Sequence, residues 1–410
     1  MNIFIKKTFI QSVVLGIHFI FPLFIAIFLI RKLPEFEYLV IMKILYLSTL
    51  INFFVEYGFG ISATKYISEN IKKIQDIISK FNLVIHCQIF LLFIAFPIIA
   101  FICIGIYDFE IVIFFHTVII IIFHVLFPNW FFIALEKQKL LLFPQFFSKT
   151  IGIVFLFYLN SDQIIDYLIV IEFTYIVSFL WSIYLLKKDI PELYFEVLNF
   201  AKVFDELKNS FAFFISMLPL AFQNIFIPNI ILLYAKADFA IAFVVVDRLR
   251  AIINYSLAPF FLITFPYFVK LNSLDKKHLK NIRKKFSLLV FILIIFFIFI
   301  LFPFKGFFIS LFAGYIPNFS FDIYNFLIFT SILYIINTHL YQHYLIIEFG
   351  DKVYNRNLRT SLILVLISFL PLFYYFNFFG LIYSLLLTEI FILTLAISTF
   401  MMSLKDNSKF

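Results

Sequence analysis

The 410-residue chain holds two cysteines, nine glycines, thirteen prolines and two tryptophans, and only 14% of it is Asp, Glu, Lys or Arg. Each scarcity excludes something. Cys87 and Cys103 lie near opposite ends of one apolar stretch and cannot meet, so no disulfide scaffold is present. So little glycine and proline removes collagen-like and low-complexity chains, and so little charge removes disorder. A soluble domain carries about 25% charged and about 45–50% apolar residues. Here 64% is apolar and the mean hydropathy is +1.06, the composition of a polytopic membrane protein. Chemical motifs are scarce as well. No Gly-x-x-x-x-Gly-Lys phosphate loop occurs. His339 and His343 sit one helical turn apart, but Leu340-Tyr341-Gln342 between them lacks the Glu of a zinc protease, so they read as helix-packing histidines. No metal or cofactor is implied. Every stretch between apolar segments is too short for a soluble catalytic domain.

What is plentiful is Phe, at 66 residues. Phe, Ile, Lys and Asn are all abundant while Ala and Gly are scarce, as genome-wide codon bias would give. Phe therefore reads as lipid-compatible filler. A helix needs about 20 apolar residues to cross the ~30 Å hydrocarbon core. The segments 8–30, 38–64, 81–106, 109–135, 140–160, 163–186, 208–234, 239–269, 287–314, 321–347, 358–376 and 378–402 qualify. The first is too long for a cleavable signal, and Arg31-Lys32-Leu33-Pro34 offers no small-residue cleavage site, so it is expected to be a span.

Lys and Arg gather on the cytoplasmic side. With the N-terminus inside, the outer loops hold only Arg31, Lys32, Lys236 and Lys305, and the spans hold Lys43, Arg248 and Arg250. The rest of the 32 Lys and Arg fall on inner loops and tails, Lys137 to Lys149 among them. Both termini are then cytoplasmic. The net charge of +8 and pI near 9.1 face anionic lipid head groups, and no nucleic-acid partner is needed.

The longest inner connection, 187–207, is amphipathic and is expected to lie on the membrane surface. It divides the chain into a bundle at 1–186, a connector at 187–207, a bundle at 208–402 and a cytoplasmic tail at 403–410. The fold class is therefore an all-α polytopic membrane protein of about 12 transmembrane helices in two six-helix bundles. If the bundles are repeats, their pseudo-twofold axis runs along the membrane normal. The fourth and tenth spans end alike, Trp130 to Glu136 against Gln342 to Glu348. Prolines interrupt the first span of each half, Pro22 in one and Pro219 with Pro228 in the other, and such broken helices point to a transport site.

Ionisable residues inside spans are the informative positions. An Arg, Lys or Asp at the helix centre costs about 2.5–3.5 kcal/mol on insertion scales and normally faces a cavity or a partner. Glu172, Asp247, Arg248, Arg250 and Glu389 fall near mid-depth, Glu56 lies in the inner third of the second span, and Lys43 can snorkel. Asp247 and Arg250 are three apart and can neutralise each other. Arg248 points elsewhere. It either pairs with a carboxylate of another span, Glu56 for example, or lines a water-filled cavity for an anionic ligand. A guanidinium fork suits phosphate. Glu172 and Glu389 occupy the last spans of the two halves, where a carboxyl of raised pKa can exchange protons near neutral pH. With Asp247 and Glu56 they are the candidates for ion coupling. Taken alone, each Glu also reads as a protonated carboxyl bonded to a neighbouring helix.

Three motifs then carry a resemblance. Asn52-Phe-Phe-Val-Glu56-Tyr57-Gly58-Phe59-Gly60-Ile-Ser62-Ala63-Thr64-Lys65, followed by a polar inner loop, resembles the second span of Wzx-type lipid-linked oligosaccharide (O-antigen) flippases. These form the polysaccharide transporter family of the multidrug/oligosaccharidyl-lipid/polysaccharide exporter superfamily. Pro128-Asn129-Trp130 through Glu136-Lys137 is similar to that family's fourth-span ending, with Ala134 where Gly is usual. Asp247-Arg248-Leu249-Arg250-Ala251, with Ala258-Pro259 and Phe265-Pro266 downstream, is the third.

The resemblance implies an undecaprenyl-diphosphate-linked oligosaccharide carried from the cytoplasmic to the outer leaflet of a bacterial inner membrane by alternating access. It implies two bundles around a central cationic cavity, with membrane lipids and other polysaccharide assembly proteins as partners. Arg248 and Arg250 become candidates for the diphosphate, with Lys65 near the inner mouth. Trp130, Asn224 and Gln223 become candidates for sugar contact, and Gly58 and Gly60 for helix bending. Two other readings stay open. A drug or metabolite cation antiporter of the same superfamily would favour acidic midplane residues. A membrane-embedded glycan polymerase would usually carry a long outer loop, and the outer loops here are short.

Overall fold

The structure, a computed structural model, describes residues 24–69, 73–135, 137, 139–159, 163–194, 200–274 and 276–407. Pro22 with most of the first expected span, Glu136 of the fourth-span motif, and 195–199 of the expected connector lie outside them. The regular structure of the described residues is helical throughout. After α1 (24–32) come α2 (Glu35–Glu56), α3 (Phe59–Glu69), α4 (Ile74–Ala100), α5 (Ile111–Val125), α6 (Asn129–Ala134), α7 (Lys139–Tyr158) and α8 (Ile164–Asp189). The later helices are α9 (Phe200–Ala221), α10 (Ile227–Tyr234), α11 (Ala237–Leu274), α12 (Lys276–Leu301) and α13 (Lys305–Ala313). The last four are α14 (Ser320–Leu340), α15 (Ile346–Phe349), α16 (Asp351–Phe376) and α17 (Phe378–Asn407).

Each span expected from residue 38 onward falls on one helix or on two consecutive ones. Nine such stretches among the described residues are long and apolar enough to cross a bilayer. Helices α7 and α11 have the length but carry charges in mid-helix, Lys149 in one and Asp247, Arg248 and Arg250 in the other. Lys149 is the correction to the charge map. It stands halfway along α7 and is half-buried, not in an inner loop. Within the expected connector, α8 runs to Asp189 and α9 starts at Phe200.

The chain divides into two compact units. One holds Phe36–Leu233, so that the seventh span (α9 and α10) packs with the helices before it. The other joins Ala26–Glu35 to the helices after Tyr234. In the second unit Arg31 donates to the Leu311 carbonyl, and the Tyr315 hydroxyl donates to Glu35 Oε1 at 2.8 Å.

Lipid offers no hydrophobic drive between helices, so packing and interhelical hydrogen bonds must hold them. In the first unit Ser148 Oγ meets Ser178 Oγ at 2.5 Å, and buried Asn229 donates to the Tyr46 carbonyl at 3.1 Å. In the second, α11 packs on α14 and α14 on α17. There the Tyr341 hydroxyl donates to the Ile392 carbonyl at 3.0 Å and Tyr324 to the Leu301 carbonyl at 2.9 Å. Much of the Phe coats the outside, with Phe93, Phe299 and Phe101 all strongly exposed, as suits a lipid-facing surface.

Breaks in the spans have local causes. Pro128 precedes α6 and ends α5's ladder, since it has no N–H to donate. Five-residue π turns interrupt two spans, Phe222–Phe226 between α9 and α10 and Tyr341–Leu345 between α14 and α15. The first is flanked by Pro219 and Pro228, each of which removes a backbone donor. The second span breaks at Tyr57 and Gly58, both of positive φ (46° and 79°). The Tyr57 ring stacks on Phe214 at 4.8 Å, which holds this strained residue in place. A Cβ on Gly58 would come within 2.9 Å of Phe213 Cβ and the Phe214 backbone nitrogen. Only glycine therefore lets α3 leave α2 at this angle while α9 passes so close. Gly58→Ala is expected to destabilise the protein by about 1–3 kcal/mol, seen as a lowered melting temperature in detergent. An unchanged melting curve would mean that the crossing does not need the glycine.

Candidate functional site

Charged and polar side chains buried among the spans cluster in each unit. In the later unit the centre is α11. Arg250 donates from Nε and Nη2 to Asp247 Oδ1 at 2.8 and 2.7 Å, and both residues are buried. Their i, i+3 spacing places them on one face of the helix. Arg248 is half-buried on another face. At 1.5 Å per residue it lies about 17 Å beyond the start of α11, near half the hydrocarbon thickness.

Glu389 of α17 is 1% exposed, and its environment comes from α14. Asn337 Nδ2 donates to Glu389 Oε2 at 2.7 Å and to the Glu389 carbonyl at 2.9 Å. One amide thus clamps both the side chain and the backbone of the acid. Tyr334, bonded to Thr338 on the same helix, lies within electrostatic range of both Glu389 and Arg250. The structure therefore gathers Asp247, Arg250 and Glu389 around α14, although Glu389 is far from the other two in sequence.

Beyond them lies a histidine pair. His339 and His343 approach through their Nδ1 atoms at 3.3 Å; Ser287 Oγ bonds His339 at 2.9 Å and Thr264 Oγ1 bonds His343 at 2.7 Å. Rings of Phe261, Phe268 and Phe286 surround His343. These contacts are those of packing histidines. Among the described residues no group of three or more His, Cys, Asp or Glu is placed to hold a metal ion.

In the earlier unit Glu172 of α8 meets His116 of α5, Nδ1 to Oε2, at 2.7 Å. On the same α5, His124 Nδ1 lies 2.7 Å from Ser48 Oγ of α2 and its ring packs on Tyr175 at 5.2 Å. Lys149 of α7 lies within electrostatic range of His124. These three residues were missed by sequence reasoning. Lys149 had a signal, its place halfway along an apolar segment, whereas the two histidines become notable only once α5, α8 and α2 are neighbours. Glu56, at the end of α2, is half-buried and turns its carboxylate over Gly60, where an added Cβ would lie 2.4 Å from Oε1.

The expected sugar contacts are placed differently from one another. Trp130 is buried against Phe81 and Phe131, and its indole N–H has no hydrogen-bond partner among the described residues. Both Gln223 and Asn224 lie within the π turn; Gln223 is buried, while Asn224 is exposed and donates to the Leu220 carbonyl at 3.1 Å. Lys65 is exposed and lines a cavity of about 480 Å³ between α3, α4 and α9. Lys80 and Glu206 form an ion pair at 2.5 Å in its wall.

Helices of membrane-crossing length, π-interrupted spans and buried ion pairs define a multi-pass α-helical membrane protein, and its fold is that of the MOP transporter superfamily. An inward-facing multidrug resistance MATE family transporter matches with a TM-score of 0.66 at 13% identity, over 95% of this chain and 94% of that one. A MOP superfamily transporter from Pyrococcus furiosus matches at 0.61 and 13%, over 99% and 95%. A eukaryotic MATE transporter matches at 0.63 and 11%, over 97% and 96%. Residues 4–272 match the family described as polysaccharide biosynthesis protein, and the chain belongs to that family. A Shigella dysenteriae protein named "Putative O-antigen transporter" is 24% identical over 400 residues, 94% of this chain and 97% of that protein.

Removing one partner of a buried ion pair costs about 3–5 kcal/mol. Asp247→Asn is accordingly expected to lower the folded yield in membranes sharply, and the double variant Asp247→Asn/Arg250→Gln to recover much of it. Fluorescence-detected size exclusion reads both. Equal yields for the single variant and the native chain would show that the pair contributes nothing to folding.

Proposed function

We propose that this protein is a flippase. It moves undecaprenyl-diphosphate-linked oligosaccharide units, of O-antigen or a similar surface polysaccharide, from the cytoplasmic to the outer leaflet of a bacterial inner membrane. Alternating access coupled to an ion gradient drives it, and no chemical bond is made or broken. Membership of the polysaccharide biosynthesis family and the MOP fold support transport of a glycan precursor. The observation that carries the reading is two guanidinium groups within the apolar helix α11, Arg250 buried and Arg248 half-buried.

The physical need matches. A diphosphate and a sugar chain cannot cross hydrocarbon unaided, while a prenyl tail can stay in lipid. A guanidinium offers a planar fork of donors to two phosphate oxygens at once. Arg248 and Arg250 are both candidates for the lipid diphosphate, Arg250 while also giving two donors to Asp247. Glu389 and Asp247 in one unit, and Glu172 and Glu56 in the other, are the groups we assign to ion coupling. The Glu172–His116 contact adds a second titratable partner there.

A second reading is a cation antiporter, favoured by the buried carboxylates of Glu172 and Glu389 and by the multidrug transporters that share the fold. Two measurements test the roles assigned to these residues. Arg248→Ala is expected to abolish surface glycan display while the protein stays in the membrane; normal display would remove Arg248 from the mechanism. Glu172→Gln and Glu389→Gln are expected not both to leave transport intact under an imposed ion gradient. Should both variants transport normally, coupling runs through other residues or is absent.

A further inference from the structure

The cavity between α3, α4 and α9 is a built polar site that the midplane arginines leave unexplained. Its wall is ordered. Lys80 Nζ holds Glu206 Oε2 at 2.5 Å, Ser210 Oγ donates to Glu206 Oε1 at 3.1 Å, and Ser62 Oγ meets Ser210 Oγ at 2.9 Å. The Lys80 ammonium also lies 4.8 Å from the centre of the Tyr66 ring. Lys65, Tyr66 and Asn209 stand exposed around this wall.

The charge of the lining decides what it suits. Among the lining residues Lys65 and Lys80 are equalled in number by Asp76 and Glu206, and Asp76 lies 3.6 Å from Lys73 beside them, so the lining mixes both signs. A diphosphate site would need excess cation. A sugar needs donors and acceptors side by side, because each hydroxyl does both. Lysine and the Asn209 amide donate, the carboxylates accept, and Ser79 does either. Tyr66 and Phe213 add ring surface against which the C–H face of a pyranose packs. The volume of about 480 Å³ falls within the ~300–1,000 Å³ of ligand sites.

We propose that this cavity binds neutral sugar residues of the oligosaccharide head group before translocation, separately from the arginines that take the diphosphate. The inference rests on the flippase reading, in which the loop after α3 and the connector before α9 are cytoplasmic. Lys65 then serves the glycan and not the phosphate.

Purified full-length protein in nanodiscs is titrated with two probes. One is undecaprenyl diphosphate; the other is the glycan-bearing lipid that accumulates in cells depleted of this protein. Tyr66→Ala/Asn209→Ala changes two exposed side chains outside the Lys80–Glu206 wall. The double variant is expected to lose at least tenfold in affinity for the glycan lipid and to bind undecaprenyl diphosphate as the native protein does. Equal loss on both probes, or no loss on either, overturns the sugar site. If the native protein binds neither probe, the flippase reading itself falls, and the sugar site with it.

Discussion

Within hydrocarbon only the protein can satisfy a buried polar group, and that constraint orders everything else in this chain. The helices cannot be driven together by hiding apolar surface, because the lipid around them is just as apolar. What ties them is a small set of polar contacts, Asn337 to Glu389, Glu172 to His116, Asn229 to the Tyr46 carbonyl and Ser148 to Ser178. Each costs too much to leave unmade, so each fixes which helix faces which. The charged positions among them are where chemistry is concentrated.

The same constraint explains why the two units carry different kinds of polar cluster. Around α14 a carboxylate–guanidinium pair shares a region with a clamped glutamate. Around α5 the partners are histidines, a glutamate and a lysine. Both kinds place ionisable groups among the spans. A fixed apolar core has no such freedom. Binding an anionic head group and responding to an ion gradient both call for groups of this sort.

How much of this was readable beforehand follows from the range of each interaction. The bilayer sets a minimum length for an apolar run, so the nine helical stretches of membrane-crossing length among the described residues could be marked from composition alone. Asp247 and Arg250 were paired on paper because three residues is a local distance on a helix. Glu389 and Asn337 are 52 residues apart, and nothing in a linear pattern joins them. Lys149 was counted with Lys137 on an inner loop, although the span marked at 140–160 already contained it. Helix α9 begins at Phe200, inside the stretch expected to be an amphipathic surface connector. The breaks in the second and seventh spans were signalled by glycine and proline, yet their geometry needed coordinates. Gly58 is dictated as much by the passage of α9 as by its own dihedral.

The π turns at Phe222–Phe226 and Tyr341–Leu345 have one more effect. An extra residue in a turn rotates the helix beyond it by about 100°. Past the first turn Ile227, Pro228, Asn229, Ile231 and Leu232 are buried, so such a rotation exchanges core contacts as well as side chains that meet lipid. Asn229 past the first turn and His343 within the second hold the register through hydrogen bonds to neighbouring helices. Each π turn therefore sets the rotation of the segment beyond it, and a polar contact to another helix holds that setting.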